Sequence, residues 1–333
     1  MYEVVLTRKQ REAEGIFSFR LERPDGGALP AFEAGAHIDL TIDIADEGAP
    51  DDPLGARPGR QLIRQYSLCN PPPAGAADHY LIGVLDDPAS RGGSRALCRQ
   101  LEEGRRLRIS APRNLFALAP EPAPALLVAG GIGITPILAM AEALTAAGRD
   151  YRLHYCARRR SQAAFLSRLA TAPHAARSRL HFDDEQPFDA AAALAGAPAG
   201  AHLYVCGPAG FMDHLATTAL NLGWEADRLH REHFGRAPAV VDSGDLPFEI
   251  ELASTGARIP VAADESVTQA LARAGIDIPT SCEQGVCGTC LTRVLAGQPD
   301  HRDQFLTAEE RAAADHFLPC CSRARGPLLK LDL

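Results

Sequence analysis

The run Ser281-Cys282-Glu283-Gln284-Gly285-Val286-Cys287-Gly288-Thr289-Cys290 decides how the rest of this 333-residue chain is read. Three of the nine cysteines fall in it with the spacing C-x4-C-x2-C, and Cys320 follows Cys290 after 29 intervening residues. That is the plant-type ligand pattern of a 2Fe–2S cluster. Three thiolates on one tight loop wrap one side of the cluster, while Gly285 and Gly288 let backbone N–H groups approach the sulfurs. The fourth thiolate must come from another segment, where Cys320 and Cys321 are adjacent; Cys320 is chosen here, with Cys321 as the alternative. A structural zinc site shows paired C-x2-C knuckles, and only Cys287 and Cys290 have that spacing. A disulfide framework belongs to short secreted chains.

Length and composition fit two or three ordinary globular domains, with 46% hydrophobic and 23% charged residues. The segment from Met1 to Leu6 lacks the layout of a signal peptide, and no apolar run reaches membrane-spanning length. Thiolate ligands predict a reducing cytoplasm. A net charge of −8 argues against a nucleic-acid partner. Residues 245–333 carry 8 Lys+Arg against 13 Asp+Glu, a net of −5, which reads either as a solvated surface or as a docking face for a basic partner.

Residues 1–112 read as an antiparallel β-barrel with strands at Val4–Leu6, Ile16–Phe19, His37–Ile44, Gln65–Leu68 and Tyr80–Val84, and a loop over Asp46–Arg60. In Arg64-Gln65-Tyr66-Ser67 a tyrosine face can lie on a flat ring, an arginine can meet a phosphate, and a hydroxyl can bond a ring nitrogen. Arg91-Gly92-Gly93-Ser94 feeds a helix over Arg95–Leu101 and suits an anion; a plain turn with Ser94 as N-cap is the simpler reading.

Residues 113–235 read as a doubly wound α/β sheet of five parallel strands. The buried strand Ala125–Ala129 runs into Gly130-Gly131-Ile132-Gly133-Ile134-Thr135-Pro136 and a helix over Ile137–Ala147, with Thr135 as N-cap and Pro136 at N1. The glycines allow a pyrophosphate to reach the helix start, although Pro136 stands where a G-x-G-x-x-G run has its last glycine. Strands at Arg152–Cys156, Arg179–Phe182 and His202–Val205, with a last one ending near Phe234, alternate with helices at Ser161–Leu169, Phe188–Leu194 and Ala209–Leu222. Cys206-Gly207-Pro208 lies at a strand tip, where ligands of such sheets bind. Residues 236–246 have linker composition, and 247–333 read as a β-grasp ferredoxin module. It opens with a hairpin around Thr255-Gly256, and capping boxes at Ser266/Gln269 and Thr307/Glu310 start its two helices. A strand over Leu328–Leu333 closes it.

RQYSLCN at 64–70, RGGS at 91–94, AGGIGITP at 129–136, CGP at 206–208, EHFG at 232–235, SCEQGVCGTC at 281–290 and CCSRA at 320–324 together resemble one family. These are the phthalate dioxygenase reductase type, NADH-dependent reductases of Rieske oxygenases with FMN and a 2Fe–2S cluster. The resemblance implies that Arg64, Gln65, Tyr66, Ser67, Val84, Gly92, Gly93 and Ser94 hold FMN. It places Gly130, Gly131, Gly133, Thr135, Pro136, Arg158, Cys206, Gly207 and Pro208 at the nicotinamide nucleotide. Ser67, Cys206, Glu232 and Phe234 would surround the reacting ring, and Cys282, Cys287, Cys290 and Cys320 would bind the cluster. The implied chemistry is a hydride passed from NADH to the flavin and single electrons passed through the cluster to a terminal Rieske-type oxygenase. A plant-type cluster near about −400 mV feeds a Rieske centre at roughly −150 mV or above downhill.

Two positions depart from the family pattern. Leu85 stands where relatives often have a basic residue, and Ala157-Arg158-Arg159-Arg160 follows the second parallel strand, where an acidic residue favours NADH. NADPH is therefore the alternative nucleotide. A haem monooxygenase is the alternative acceptor, and a non-catalytic redox sensor the alternative of another class. A sensor needs no nicotinamide site beside a flavin.

Overall fold

The computed structural model describes residues 1–45, 59–88, 93–234, 244–280, 283, 285, 288–303 and 305–333, with the side chains of 43–45 and 59–61 outside the description. Met1–Phe234 and Gly235–Leu333 form two compact units.

The first unit opens with a barrel of β1 (Tyr2–Ala13), β2 (Ile16–Glu22), β3 (Ala36–Ala45), β4 (Gly59–Ser67), β5 (Tyr80–Leu85), β6 (Arg106–Ile109) and β7 (Arg113–Asn114). The order is β4-β3-β6-β1-β2-β5, with β7 beside β3 and every pairing antiparallel. An antiparallel bridge from Leu68 to Ile82 and a 2.8 Å bond from the Cys69 N–H to the Leu81 carbonyl join the two outer strands. Val4, Leu6, Phe19, Leu21, Ile38, Leu40 and Ile82 alternate into the barrel core, as a period of two requires. Helix α1 (Gly93–Gln100) buries Ala96, Leu97 and Cys98 against that core. It starts at Gly93, so Ser94 is inside the helix and is not its N-cap. β6 and β7 were not expected; at four and two residues they are too short to show a periodicity. The expected loop over Asp46–Arg60 lies outside the described residues up to Pro58, and Gly59 and Arg60 already belong to β4.

The second layer is a sheet of β8 (Ala125–Gly130), β9 (Tyr151–Ala157), β10 (Ser178–Phe182), β11 (His202–Cys206) and β12 (Leu229–Glu232), all parallel, in the order β10-β9-β8-β11-β12. The chain winds outward from β8 first to one side and then to the other, which puts the crevice at the C-terminal ends of β8 and β11. Every residue of β8 is buried, as befits the central strand of a sheet covered on both faces.

Two helix readings are corrected. A 3-10 turn, Gly131–Gly133, winds directly into α2 (Ile134–Ala146), so the helix begins before Thr135. Thr135 is not the N-cap; its hydroxyl donates instead to the Ile132 carbonyl at 3.1 Å. Pro136 is correspondingly the third residue of the helix. The helix expected over Ser161–Leu169 is a 3-10 turn, Arg160–Gln162, and one α turn, α3 (Leu166–Leu169). The break falls at Phe165, a buried residue at φ 59 whose ring lies 3.2 Å from the place a side chain would occupy on Gly83 of β5. Burying an aromatic ring against the barrel outweighs helical propensity here. Helices α4 (Ala190–Ala195), with Asp189 accepting from the Ala192 N–H, and α5 (Ala209–Asn221) complete the layer. Ile16, Ala34, Cys69 and Phe116 pack in one core with Ile134, Leu138, Phe165 and Cys206, so barrel and parallel sheet share a hydrophobic interior.

In the second unit β13 (Phe248–Leu252) and β14 (Arg258–Val261) form the expected hairpin, followed by α6 (Val267–Arg273). Then come β15 (Thr292–Ala296), β16 (Pro299–Asp300), α7 (Ala308–Ala313), β17 (His316–Phe317), β18 (Arg323–Ala324) and β19 (Leu328–Leu331). The main sheet is ordered β14-β13-β19-β15-β17, with β13 and β19 parallel, the β-grasp arrangement. Both capping boxes form, each cap contributing about 1 kcal/mol. β15 was not foreseen: Val294 is buried by pairing with the distant β19. The expected linker lies outside the described residues from 236 to 243. Asp245 is bonded into this unit by Arg302 and Arg323.

Buried histidines make the first unit sensitive to acid. His37 and His154 are each pushed down to about 4, His37 by burial and then Arg113, His154 by burial and then His181. Such a group favours the folded state fully above its unfolded value near 6.5, and that contribution is lost as pH falls towards 4. Each contributes a slope of up to about 1.4 kcal/mol per pH unit. Trp224 is the only tryptophan and lies in this unit, so its fluorescence reads urea unfolding there. The urea midpoint should fall steadily through that window, and His154→Leu should flatten the fall; a flat wild-type profile would show the histidines to be unimportant.

Candidate functional site

The crevice is built where backbones approach more closely than side chains permit. Cys206, at the end of β11, is paired with Ala129 of β8 on one side and Glu232 of β12 on the other. A side chain on Gly133 would run into the Cys206 carbonyl and lie 2.8 Å from the Gly207 nitrogen. One on Gly207 would lie 3.0 Å from the Gly130 Cα, and one on Gly130 3.0 Å from the Pro208 ring. The Gly130–Pro136 turn and Cys206-Gly207-Pro208 are thus pressed backbone to backbone. Gly131 is held at φ +56, and no atom lies within 4 Å of where its side chain would be. That open side, beside the first turn leading into α2, fits a nucleotide pyrophosphate. Thr135 and Pro136 are buried behind it, and Arg158 is exposed beyond the end of β9.

A barrel strand reaches the same place. Ser67, 4% exposed at the end of β4, donates from Oγ to Glu232 Oε2 at 3.2 Å. Burial pushes the Glu232 carboxyl up to about 8, the Ser67 bond acting against it. Burial, and then Glu232, holds the Cys206 thiol well above its ordinary value. At neutral pH this corner therefore holds a protonated carboxyl and a thiol, with no net charge. Phe234, two residues on, is 43% exposed.

Along β4, Arg64 lies across the first residue of α1: a side chain on Gly93 would sit 2.9 Å from Arg64 Cγ and Nε. A guanidinium beside a helix start fits a phosphate, and Ser94 stands in that first turn. Tyr66 follows Arg64 on the same strand face, and burial holds its phenol above the usual range. Gln65 points to the other face, where its amide meets His37 Nε2 at 3.1 Å and Asp39 Oδ1 at 3.2 Å. Val84 is buried in β5, and Gly92 lies outside the described residues. The sequence reading passed over Gly83, although a side chain there would meet the Thr135 methyl at 2.6 Å. A glycine inside an otherwise apolar strand is the signal that marks such an approach.

In the second unit Cys290 and Cys320 are buried together with Leu306 and Leu318. Cys282 and Cys287 lie outside the described residues. The Cys320 thiol, whose S–H donates to the neighbouring Cys290 sulfur, is held above the ordinary thiol range, so the pair favours two thiolates only beside a cation. That is the fit expected for iron. Cys321 is hydrogen-bonded with Cys320 as well, and its Sγ lies 3.7 Å from both the Leu318 carbonyl and Ser322 Oγ. Gly285 and Gly288, at φ +75 and +72, leave no room for side chains: the first would strike Cys321 Sγ and the second the Phe305 ring. Asp303, which the sequence reading did not single out, braces this face by accepting from the N–H groups of Phe305 and Leu306 at 3.1 and 2.8 Å. An Asp whose side chain can reach nearby N–H groups in the same turn was the available signal.

Residues 250–325 match the 2Fe-2S iron-sulfur cluster binding domain, and residues 110–229 match the N-terminal domain of dimethylamine monooxygenase subunit DmmA-like proteins. The chain is 52% identical to the vanillate O-demethylase oxidoreductase of Pseudomonas putida over 336 aligned positions, covering 100% of both chains. Among solved structures, phthalate dioxygenase reductase, described as a modular structure for electron transfer from pyridine nucleotides to [2Fe-2S], is 34% identical with a TM-score of 0.67, covering 99% of this chain and 97% of that one. An intact type IV self-sufficient cytochrome P450 monooxygenase is 39% identical with a TM-score of 0.74, covering 100% of this chain, which spans 41% of that longer protein. The three-part architecture, the two loops pressed together at the strand tips and the buried cysteine pair agree with these likenesses, and the chain belongs to the phthalate dioxygenase reductase family of oxidoreductases.

Proposed function

We propose that this protein is the reductase component of an oxygenase system, carrying electrons from NADH through FMN and its own 2Fe–2S cluster to a terminal Rieske-type oxygenase. The observation that carries this reading is the Ser67–Glu232 bond, which joins the barrel to the strand tips of the nucleotide sheet. When bound, a flavin accepts a hydride and releases electrons singly, which a cluster can take up. Arg64, Gly92, Gly93 and Ser94 hold the FMN phosphate, and Tyr66, Ser67, Val84 and the Gln65 main chain flank its ring. Gly130, Gly131, Gly133, Thr135 and Pro136 seat the nucleotide pyrophosphate, with Cys206, Gly207 and Pro208 at the nicotinamide end and Arg158 at the adenosine end. Phe234 covers the ring face that nicotinamide must reach. Glu232 stays protonated and keeps the corner uncharged, so that the positive nicotinamide product is not held there by a carboxylate. Cys282, Cys287, Cys290 and Cys320 bind the cluster.

No helix among the described residues is long and apolar enough to cross a membrane, and thiolate ligands suit the cytoplasm, where we place the protein. Its likeness to a vanillate O-demethylase oxidoreductase makes the oxygenase of such a system the first acceptor to test. A haem acceptor is the second reading, favoured by the likeness to a cytochrome P450 monooxygenase. Mixing the purified chain with NADH and each oxygenase should give product with the Rieske enzyme. Product with the haem enzyme alone would select the second reading.

Cys320→Ser should abolish the visible absorbance of the cluster while flavin reduction by NADH stays within about twofold. Cys321→Ser should keep the cluster, and the reverse pattern would make Cys321 the ligand. Glu232 binds its proton more tightly folded than unfolded, so its own contribution to stability is lost as pH rises from about 4.5 to about 8. Wild-type stability should therefore fall above about pH 6.5, where His37 and His154 are neutral in both states. Glu232→Gln should remove that fall, as read by Trp224 fluorescence in urea; an unchanged profile would show that the carboxyl is ionised.

A further inference from the structure

We infer that Arg158 and Arg159 form a subsite for the 2′-phosphate of NADPH, and that the protein accepts NADPH as a reductant. This rests on the nucleotide site proposed above. Gly130 of the phosphate-binding turn is paired with Cys156 of β9, so β9 ends directly beside that turn. The nicotinamide end points towards β11 and β12, where Cys206 and Glu232 lie. The adenosine end therefore runs the other way, over β9. In such sheets the residue after this strand reads the adenosine ribose: a carboxylate accepts from the 2′-hydroxyl, and an arginine binds a 2′-phosphate.

Here β9 ends at Ala157, and the next three residues are arginines. Arg160 is already engaged. It pairs with Glu185 at 2.9 Å, and its guanidinium stacks on the Phe182 ring at 4.5 Å. Arg158 and Arg159 are exposed, and among the described residues no hydrogen bond or ion pair occupies either side chain. Arg159 is in extended backbone at φ −145 and ψ 154. The opposing groups are the carboxylates that follow β10. Asp183 and Asp184 are exposed, and the Asp183 N–H donates to the Ala157 carbonyl at 3.2 Å. They belong to the strand beyond β9, about 4.8 Å further from the glycine turn. Two free guanidinium groups on the nearer strand can clamp a phosphate with charge-assisted, bidentate bonds.

Calorimetric titration of the holoprotein with 2′,5′-ADP and with 5′-AMP isolates the 2′-phosphate, because the two probes differ only in that group. Wild type should bind 2′,5′-ADP at least about tenfold more tightly. Arg159→Asp should lower that preference about 10- to 100-fold, as expected for charge-assisted bonds, with Arg159→Lys falling between. The ratio of kcat/KM for NADPH over NADH should move in parallel. Equal binding of both probes by wild type, or equal weakening of both by Arg159→Asp, would overturn the subsite. If neither nucleotide reduces the flavin, the oxidoreductase reading fails, and the binding ratio still decides the subsite.

Discussion

The first unit depends on two turns that meet without side chains between them. Gly130 and Gly133 on one turn and Gly207 on the other allow the ends of β8 and β11 to touch through their backbones. Any larger residue there would push the turns apart, and with them Cys206 and Glu232, which sit on paired strand ends. The same economy of volume recurs at Gly83, where Thr135 and Phe165 press against the barrel. Close approach, more than any single bond, brings Ser67 of one sheet to Glu232 of another across 165 residues of sequence.

Electrostatics follow from that packing. A dry corner favours neutral forms, which is why Glu232 and Cys206 hold their protons. The second unit poses the opposite problem. Crowding Cys290 against Cys320 makes paired thiolates costly unless a cation shares them, while Gly285 is pressed against Cys321 and Asp303, and Gly288 against the Phe305 ring. One site is uncharged and suits a flat ring and hydride chemistry. The other collects sulfur and suits iron.

What the sequence shows well is local. The cysteine spacing, the glycine turn after a wholly apolar strand and both capping boxes each lie within about ten residues; the turn and the boxes are found where read, and the cysteine run falls within the match to a 2Fe-2S binding domain. What it hides is non-local. The helix expected at Ser161–Leu169 breaks because Phe165 packs on a barrel strand, a contact that no helical periodicity encodes. β15 exists because β19 and β17 flank it, and β6 and β7 are too short to register. Thr135 resembles a cap in sequence, but the preceding glycines are already wound into a 3-10 turn. Gln65 lies within a site motif, yet strand alternation turns its amide towards His37 and Asp39.

The central claim is an ordered path in which a nucleotide reduces a flavin on Met1–Phe234, and the flavin reduces a cluster on Gly235–Leu333. Anaerobic stopped-flow mixing of the holoprotein with reduced nucleotide, followed at the flavin and cluster absorbance bands, tests it most directly. The account predicts that flavin bleaching comes first and that the cluster bands then fall as flavin absorbance partly returns. Cluster bands that stay unchanged while the flavin is fully bleached would contradict it.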